Sequence, residues 1–279
     1  MDLIDTHLHV IDMEKLHYPW LDNFEPLRRN YPVTVWEAEA RRCGITAALH
    51  MEVDVAEADI DAETAMVEDF MAQPESLVIG AISSCRPESN AFPAFLEAAQ
   101  ARKSIKGFRR VLHVVPDEVS TTSLFRENLR RLSGTGLPFD ICMLPHQLPL
   151  AMQLIDSAPD VQFVLDHCGV PSIKDKAIEP WASCITGIAK RPNVTVKISG
   201  VSAYGDAASW TVSDLRPFVE HCIAAFGWDR VVWGGDWPVV TLGSSLSTWV
   251  AATHALVSGA SNDEKSKLFS VNAKRIWRI

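Results

Sequence analysis

Apolar residues along the chain gather into eight short runs that begin near Leu3, Ile45, Leu77, Ile105, Pro138, Val161, Asn193 and Arg230, each followed by polar or Gly/Pro punctuation. The starts recur about every 32 residues, the length of one strand plus one returning helix. Runs such as Phe163-Val164-Leu165 and Val231-Val232-Trp233 are continuously apolar, as strands covered on both faces are. The stretches between them carry helical spacing instead, most clearly from Phe92 to Arg102, where Phe92, Phe95, Leu96 and Ala99 share one stripe. Eight βα units predict a closed (β/α)8 TIM barrel of the α/β class rather than an open doubly wound sheet. No Gly/Ser-rich linker, charge block or low-complexity tract divides residues 1–279, so the expectation is a single domain. The longest gap follows the first run. In it, His17-Tyr18-Pro19-Trp20-Leu21 and Tyr31-Pro32-Val33 read as an aromatic, proline-stiffened loop at the barrel top, either covering a ligand or packed on the rim.

Composition narrows the function classes. The chain has 279 residues, 47% of them hydrophobic and 22% charged, which excludes disorder. A net charge of −9 leaves no global positive field for phosphate backbones or anionic lipid, so no nucleic-acid or membrane partner is expected. No apolar run reaches the length of a bilayer span, and acids stand at Asp2 and Asp5 where a signal peptide would carry basic residues, so the expected location is the cytoplasm. The six cysteines include no C-x-x-C pair, which suggests neither a disulfide framework nor a thiolate zinc site.

A (β/α)8 barrel does its chemistry at the C-terminal ends of its strands, and here those ends are rich in ionisable groups. The first run ends Asp5-Thr6-His7-Leu8-His9, and alternation along an extended segment points His7 and His9 to the same side. Converging imidazoles either hold a divalent metal or donate to a developing oxyanion. The fourth run ends Phe108-Arg109-Arg110, of which one guanidinium should face inward to grip a carboxylate or carbonyl. Pro145-His146-Gln147-Leu148-Pro149 offers donors and acceptors for sugar hydroxyls or a metal. The sixth run leads directly into Asp166-His167-Cys168-Gly169, which stands His167 at the strand end and puts Asp166 on the opposite face as a structural partner. Lys197, flanked by apolar neighbours, must be paired or face a wet cavity. In Gly235-Asp236-Trp237-Pro238 a carboxylate sits beside indoles, and partial desolvation would raise its pKa and suit it as base or metal ligand. There is no G-x-S-x-G elbow, P-loop or G-x-G-x-x-G turn, which argues against a serine esterase or a nucleotide cofactor.

Taken together, Asp5-Thr6-His7-Leu8-His9, Lys106-Gly107-Phe108-Arg109-Arg110, Pro145 to Pro149, Asp166 to Gly169, Lys197-Ile198-Ser199-Gly200, Gly235 to Pro238 and the closing Asn272-Ala273 with Ile276-Trp277 resemble the amidohydrolase superfamily, specifically the amidohydrolase-2 group of sugar-acid lactonases and 2-pyrone-4,6-dicarboxylate lactonases. The resemblance spans nearly the whole chain. It implies a hydrolase that opens the lactone ring of a sugar acid, such as an L-fucono- or L-rhamnono-lactone. In that reading Asp236 activates water and His7, His9 and His167 polarise the carbonyl. Arg109, Arg110 and Lys197 match positions that hold substrate carboxylates or hydroxyls, and His146, Gln147, Trp20 and Trp237 suit the edges and faces of a pyranose-like ring. Lys106 lacks the context of a metal-bridging lysine. One divalent ion, zinc by its ligand set, held by His7, His9 and Asp236 with His146 or His167 in support, and a metal-independent site both remain open. The alternatives are a zinc-dependent decarboxylase, a pyrone or muconolactone lactonase, and a non-catalytic sugar-acid binding protein.

Overall fold

The computed structural model describes residues 2–279. Eight strands, β1 (Leu3–Leu8), β2 (Ile45–Met51), β3 (Val78–Ser84), β4 (Ile105–Val111), β5 (Phe139–Cys142), β6 (Phe163–Leu165), β7 (Val194–Ile198) and β8 (Val231–Trp233), pair in sequence order, all parallel. The molecule is a single-domain (β/α)8 TIM barrel, and each strand begins within two residues of the start expected from its apolar run. Helices follow every strand, among them Ile60–Met71, Phe92–Gln100, Leu148–Ser157 and Val212–Phe226. Their starts are locally specified: Thr211 and Asp214 form a reciprocal capping box, and Ser245 caps the last outer helix by accepting from the Thr248 amide. The Phe92 stripe behaves as its spacing requires, burying Phe92, Leu96 and Ala99 against the barrel wall.

Two apolar layers hold the barrel. One lies between strands and outer helices, and the second fills the barrel floor, where Ile4, Leu49, Met51, Ile82, Val164 and Val232 meet Ala273, Ile276 and Trp277. The closing segment predicted from Asn272 to Trp277 is therefore a plug: a helix spans those residues, and the Asn272 amide donates to the carbonyls of Trp228 (2.7 Å) and Val231 (2.8 Å). The plug fills the end of the barrel opposite the strand ends that carry His7 and His9.

The ring closes at the seam between β1 and the turn after β8. Asp5 accepts from the amides of His7 (2.9 Å) and Gly235 (2.7 Å), the Asp236 amide donates to the His7 carbonyl (2.8 Å), and the His9 amide donates to the Trp237 carbonyl (2.8 Å). A side chain at position 235 would collide with the Asp5 carboxylate, so the turn requires glycine there. The first-gap loop is pinned across the rim: Tyr31 donates its amide to Ile11, Ala56 donates to His17, and the Trp20 indole donates to Val53 at 2.9 Å. Among the described residues, no helix is long and apolar enough to cross a membrane.

Candidate active site

The seam that closes the barrel also assembles its chemistry. His7 and His9 leave the end of β1 with ring centroids 4.8 Å apart, and Asp236 Oδ1 lies 3.7 Å from each Nε2. His167 joins from beyond β6, 4.5 Å from the His7 ring and with Nδ1 3.9 Å from Asp236 Oδ2. The metal-capable atoms of His7, His9 and Asp236 all lie within 4.8 Å of one another, as do those of His7, Asp166 and His167. Groups from both ends of the chain thus meet at one place, and the T-shaped imidazole pair agrees with the predicted shared side of the H-x-H motif.

His167 reaches the site by an unusual backbone. His167, Cys168, Gly169 and Val170 all have positive φ (54°, 55°, 70° and 51°), a left-handed turn that costs on the order of 1–3 kcal/mol per non-glycine residue. It is held by the Val170 amide on the His167 carbonyl (2.9 Å), by the Trp181 indole on the Cys168 carbonyl (2.7 Å) and by Ser199 Oγ against His167 Nδ1 (2.9 Å). Gly200, at φ +68°, leaves room for this turn: a Cβ there would stand 2.6 Å from His167 Nδ1 and 3.0 Å from Asp236 Oδ2. Because β6 ends at Leu165, the alternation used for the sequence does not extend to Asp166. That side chain faces inward, beneath the histidines, rather than to the opposite face.

Below the histidines lies a buried charge network. Lys197 Nζ contacts Asp140 Oδ2 (2.6 Å), Asp166 Oδ1 (2.9 Å) and His7 Nδ1 (3.2 Å), with no exposed surface. Arg109 donates from Nε to Glu52 Oε1 (2.6 Å) and from Nη2 to the Glu52 carbonyl (2.6 Å). Its Nη1 approaches His7 Nε2 (3.3 Å) and Asp166 Oδ2 (3.4 Å). Burial drives the site's titrations. It holds His7 and His9 well below the ordinary histidine range, with Lys197 adding to the effect on His7 and Arg109 to that on His9, and it lowers His167 to about 3. All three imidazoles are neutral at neutral pH. Burial likewise raises Asp236 well above the usual carboxylate range against the pull of Arg109, as expected of a desolvated Asp. It raises Asp140 to about 8 against the pull of Lys197, while Lys197 and His7 overcome burial to hold Asp166 well below its ordinary value.

The tautomer of His9 follows from one contact. Its Nδ1 lies 2.9 Å from the Met51 carbonyl, which can only accept, so Nδ1 carries the proton and Nε2 presents a lone pair towards Asp236. His9 is thereby a ligand or base, and not the oxyanion donor that the sequence reading also allowed. Both Asp236 oxygens are buried and accept no hydrogen bond from any described residue. A lone pair facing an orphaned carboxylate is the arrangement that a cation satisfies, and imidazole nitrogens with a carboxylate form a donor set suited to zinc. The residues present therefore fit one divalent ion on His7, His9 and Asp236.

Above these groups lies a cavity of about 210 Å³ bordered by His9, Arg109, His167, Tyr204 and Asp236, with Ile11, Trp20 and Val239 among its apolar walls. Trp20 thus stands on the cavity wall, and through it the first-gap loop borders the cavity. Several other anticipated contacts lie elsewhere. Lys197 is sealed under the floor by its two carboxylates, so it supports His7 rather than touching a ligand. Arg110, pointing to the opposite side of β4 from Arg109, pairs with Glu88 (2.8 Å). His146 is exposed and belongs neither to the cavity lining nor to the His7–His9–Asp236 cluster, and Gln147 is spent on the Leu144 amide and Asp117. Trp237 is buried edge-on against Tyr31, 5.4 Å between centroids, and packs the rim outside the cavity lining. The sequence reading overlooked Glu52 and Asp54, although His50-Met51-Glu52-Val53-Asp54 shows the same cluster of ionisable groups at a strand end. It also missed His113 and Cys142, which pair at 3.3 Å on the cavity wall, and Tyr204, which sits in a loop without a pattern.

Residues 4–279 match the family model described as Amidohydrolase. The chain belongs to the amidohydrolase family. It is 28% identical to the uncharacterised y4mH protein of Sinorhizobium fredii, covering 99% of this chain and 98% of that one. It is 24% identical to an L-fucono-1,5-lactonase of Burkholderia ambifaria, over 75% of this chain and 73% of the relative. An amidohydrolase from Burkholderia multivorans, solved with bound zinc, superposes with a TM-score of 0.89 at 23% identity, covering 100% of both chains. That amidohydrolase family membership and the barrel agree with the resemblance carried by the sequence motifs.

Proposed function

We propose that this amidohydrolase-family chain is a hydrolase that opens the ring of a small, uncharged sugar-acid lactone, with Asp236 as the base. The observation that carries the reading is the Asp236 carboxylate: buried, raised in pKa and unpaired, it stands at the cavity floor beside neutral His7, His9 and His167. A base of raised pKa takes a proton from water more readily than an ordinary carboxylate, and a positioned base contributes roughly 10²–10⁴-fold. A lactone is an activated ester, so proton removal and stabilisation of the developing oxyanion meet most of the demand. His7, His9 and Asp236 would hold zinc, which when bound supplies Lewis-acid polarisation of a carbonyl and a lowered water pKa. Lys197 and Asp166 orient His7 from below, Ser199 orients His167, and the walls around Trp20 and Ile11 exclude bulk water.

Charge favours a neutral substrate. The one guanidinium at the cavity, Arg109, is already satisfied by Glu52 and Asp166, and Arg110 by Glu88, which leaves no spare cation for a substrate carboxylate. A cavity of about 210 Å³ lies below the ~300–1,000 Å³ of drug-sized sites and suits a single ring. Both points count against a dicarboxylate pyrone or muconolactone and against decarboxylation of an aromatic acid. The L-fucono-1,5-lactonase relative supports the sugar-lactone reading, and L-fucono- and L-rhamnono-lactones are its first substrates to try. The test is a pH-indicator assay of an aldonolactone panel with and without chelator. Asp236→Asn and His167→Ala should each lower kcat by at least about 10²-fold. Absence of turnover on every lactone, or variants within a few-fold of wild type, would reject the reading, and binding without turnover would mark a sugar-acid binding protein.

A further inference from the structure

The cavity has a polar wall that proton transfer from water to Asp236 does not use. Asp54, two residues beyond Glu52, is in the left-handed region at φ +48°, with its amide donating to Glu52 Oε2 at 2.8 Å, and its side chain borders the cavity at 25% exposure. Its Oδ1 lies 3.8 Å from both Arg86 Nη2 and Arg110 Nη1, ion-pair separations beyond hydrogen-bond reach. Both guanidiniums are anchored elsewhere, Arg86 on Ser84 Oγ (2.7 Å) and Arg110 on Glu88 Oε1 (2.8 Å). The Asp54 carboxylate is therefore oriented by two cations and accepts no hydrogen bond from any described residue. On the same wall, His113 has its Nδ1 occupied by Cys142 Sγ, and its Nε2 makes no hydrogen bond to a described residue. The rest of the wall, Ile11, Val53, Val111 and Val239, is apolar.

A carboxylate with two free oxygens matches two adjacent hydroxyl groups, each donating to one oxygen, and hydrogen bonds to a charged acceptor are about twice as strong as neutral ones. We infer that Asp54 selects lactones bearing a vicinal diol, with His113 Nε2 taking a further hydroxyl, while Arg86 and Arg110 act at one remove by holding Asp54 in place. The facing apolar wall then receives the carbon face or a deoxy methyl of the same ring. This assignment rests on the lactonase reading and adds to it the identity of the groups that read the sugar. It also gives Arg110 a role different from the substrate contact expected from sequence: it positions Asp54.

The test compares the best hydroxylated lactone from the panel with analogues that each lack one ring hydroxyl. Wild type should lose about 10–100-fold in kcat/KM when either diol hydroxyl is missing. In Asp54→Ala that penalty should shrink to within about 3-fold, because the partner is gone on the enzyme side. Arg110→Met should reduce the penalty and Arg110→Lys restore part of it, a pattern that a purely structural role for Arg110 would not produce. Calorimetric binding of the corresponding hydroxylated lactam reads the same contact without turnover, and Asp54→Ala should weaken it at least tenfold. Full penalties at every position in Asp54→Ala, or unchanged lactam affinity, would overturn the assignment while leaving lactone hydrolysis standing. A wild type that opens no lactone and binds no lactam would overturn both.

Discussion

Replacing Lys197 by Met keeps the length of the side chain and removes its ammonium from between two carboxylates. In the wild type Nζ sits 2.6 Å from Asp140 and 2.9 Å from Asp166, all three groups without solvent exposure, and 5.6 Å from the Trp277 ring centroid. Removing one partner of a buried ion pair costs about 3–5 kcal/mol, because the remaining charge is neither hydrated nor compensated. Here Asp140, raised to about 8, is mostly protonated at neutral pH and Asp166 carries the charge, which Arg109 still faces at 3.4 Å, so the middle of that range, about 4 kcal/mol, is the expectation. Against a total stability of about 5–15 kcal/mol this is a large fraction. It corresponds to a fall in Tm of roughly 8–16 °C, at about 2–4 °C per kcal/mol for a domain of this size. Urea unfolding followed by tryptophan fluorescence measures it, with the midpoint falling and the slope unchanged. Lys197→Met/Asp166→Asn should recover about 2 kcal/mol or more, since it removes the buried charge that the single substitution leaves uncompensated. A single variant within about 1 kcal/mol of wild type would refute the claim that Lys197 compensates the buried charge of Asp166.

Two further outcomes follow from the same groups. Gly200→Ala should lower kcat at least tenfold and stability by about 1–3 kcal/mol, since its Cβ would press on His167 and Asp236 at a positive φ; full activity would show that the left-handed turn is not needed as built. Asp140 is raised in the folded chain from 3.8 to about 8, so its contribution to stability is complete below the unfolded value and is lost as pH rises through the folded one. Asp140→Asn should therefore lose less stability than wild type between about pH 5 and pH 9, as urea midpoints across that range will show.

The barrel was legible because a strand covered on both sides leaves a continuous apolar run, and such runs recur at the length of a βα unit. His7, His9, His167 and Asp236 were legible because strand ends are where this fold places its chemistry. Choosing between Arg109 and Arg110 required the register of β4, which adjacent residues of identical type cannot reveal. Asp166 was misplaced because alternation was carried past the end of β6 into a left-handed turn, a backbone that no local signal announces beyond Gly169. Lys197 illustrates a different boundary: its apolar neighbours correctly implied a partner, but two carboxylates distant in the sequence, Asp140 on β5 and Asp166 just past β6, satisfy it, and such long-range pairing has no trace in sequence spacing. His146 and Gln147 fell outside the cavity lining because the short helical turn at Pro145–Gln147 leaves His146 exposed and commits Gln147 to Leu144 and Asp117.

The seam through Asp5, His7, Gly235 and Asp236 joins residues some 230 positions apart, and its backbone bonds are the same ones that hold the imidazoles beside the carboxylate. A nascent or partly unravelled chain missing one edge keeps either the His7–His9 pair or Asp236 but not both, so the site is assembled only when the ring is completed. Any opening of that joint large enough to part the imidazoles from the carboxylate also disarms the site, which couples its competence to a contact between the first strand and the last.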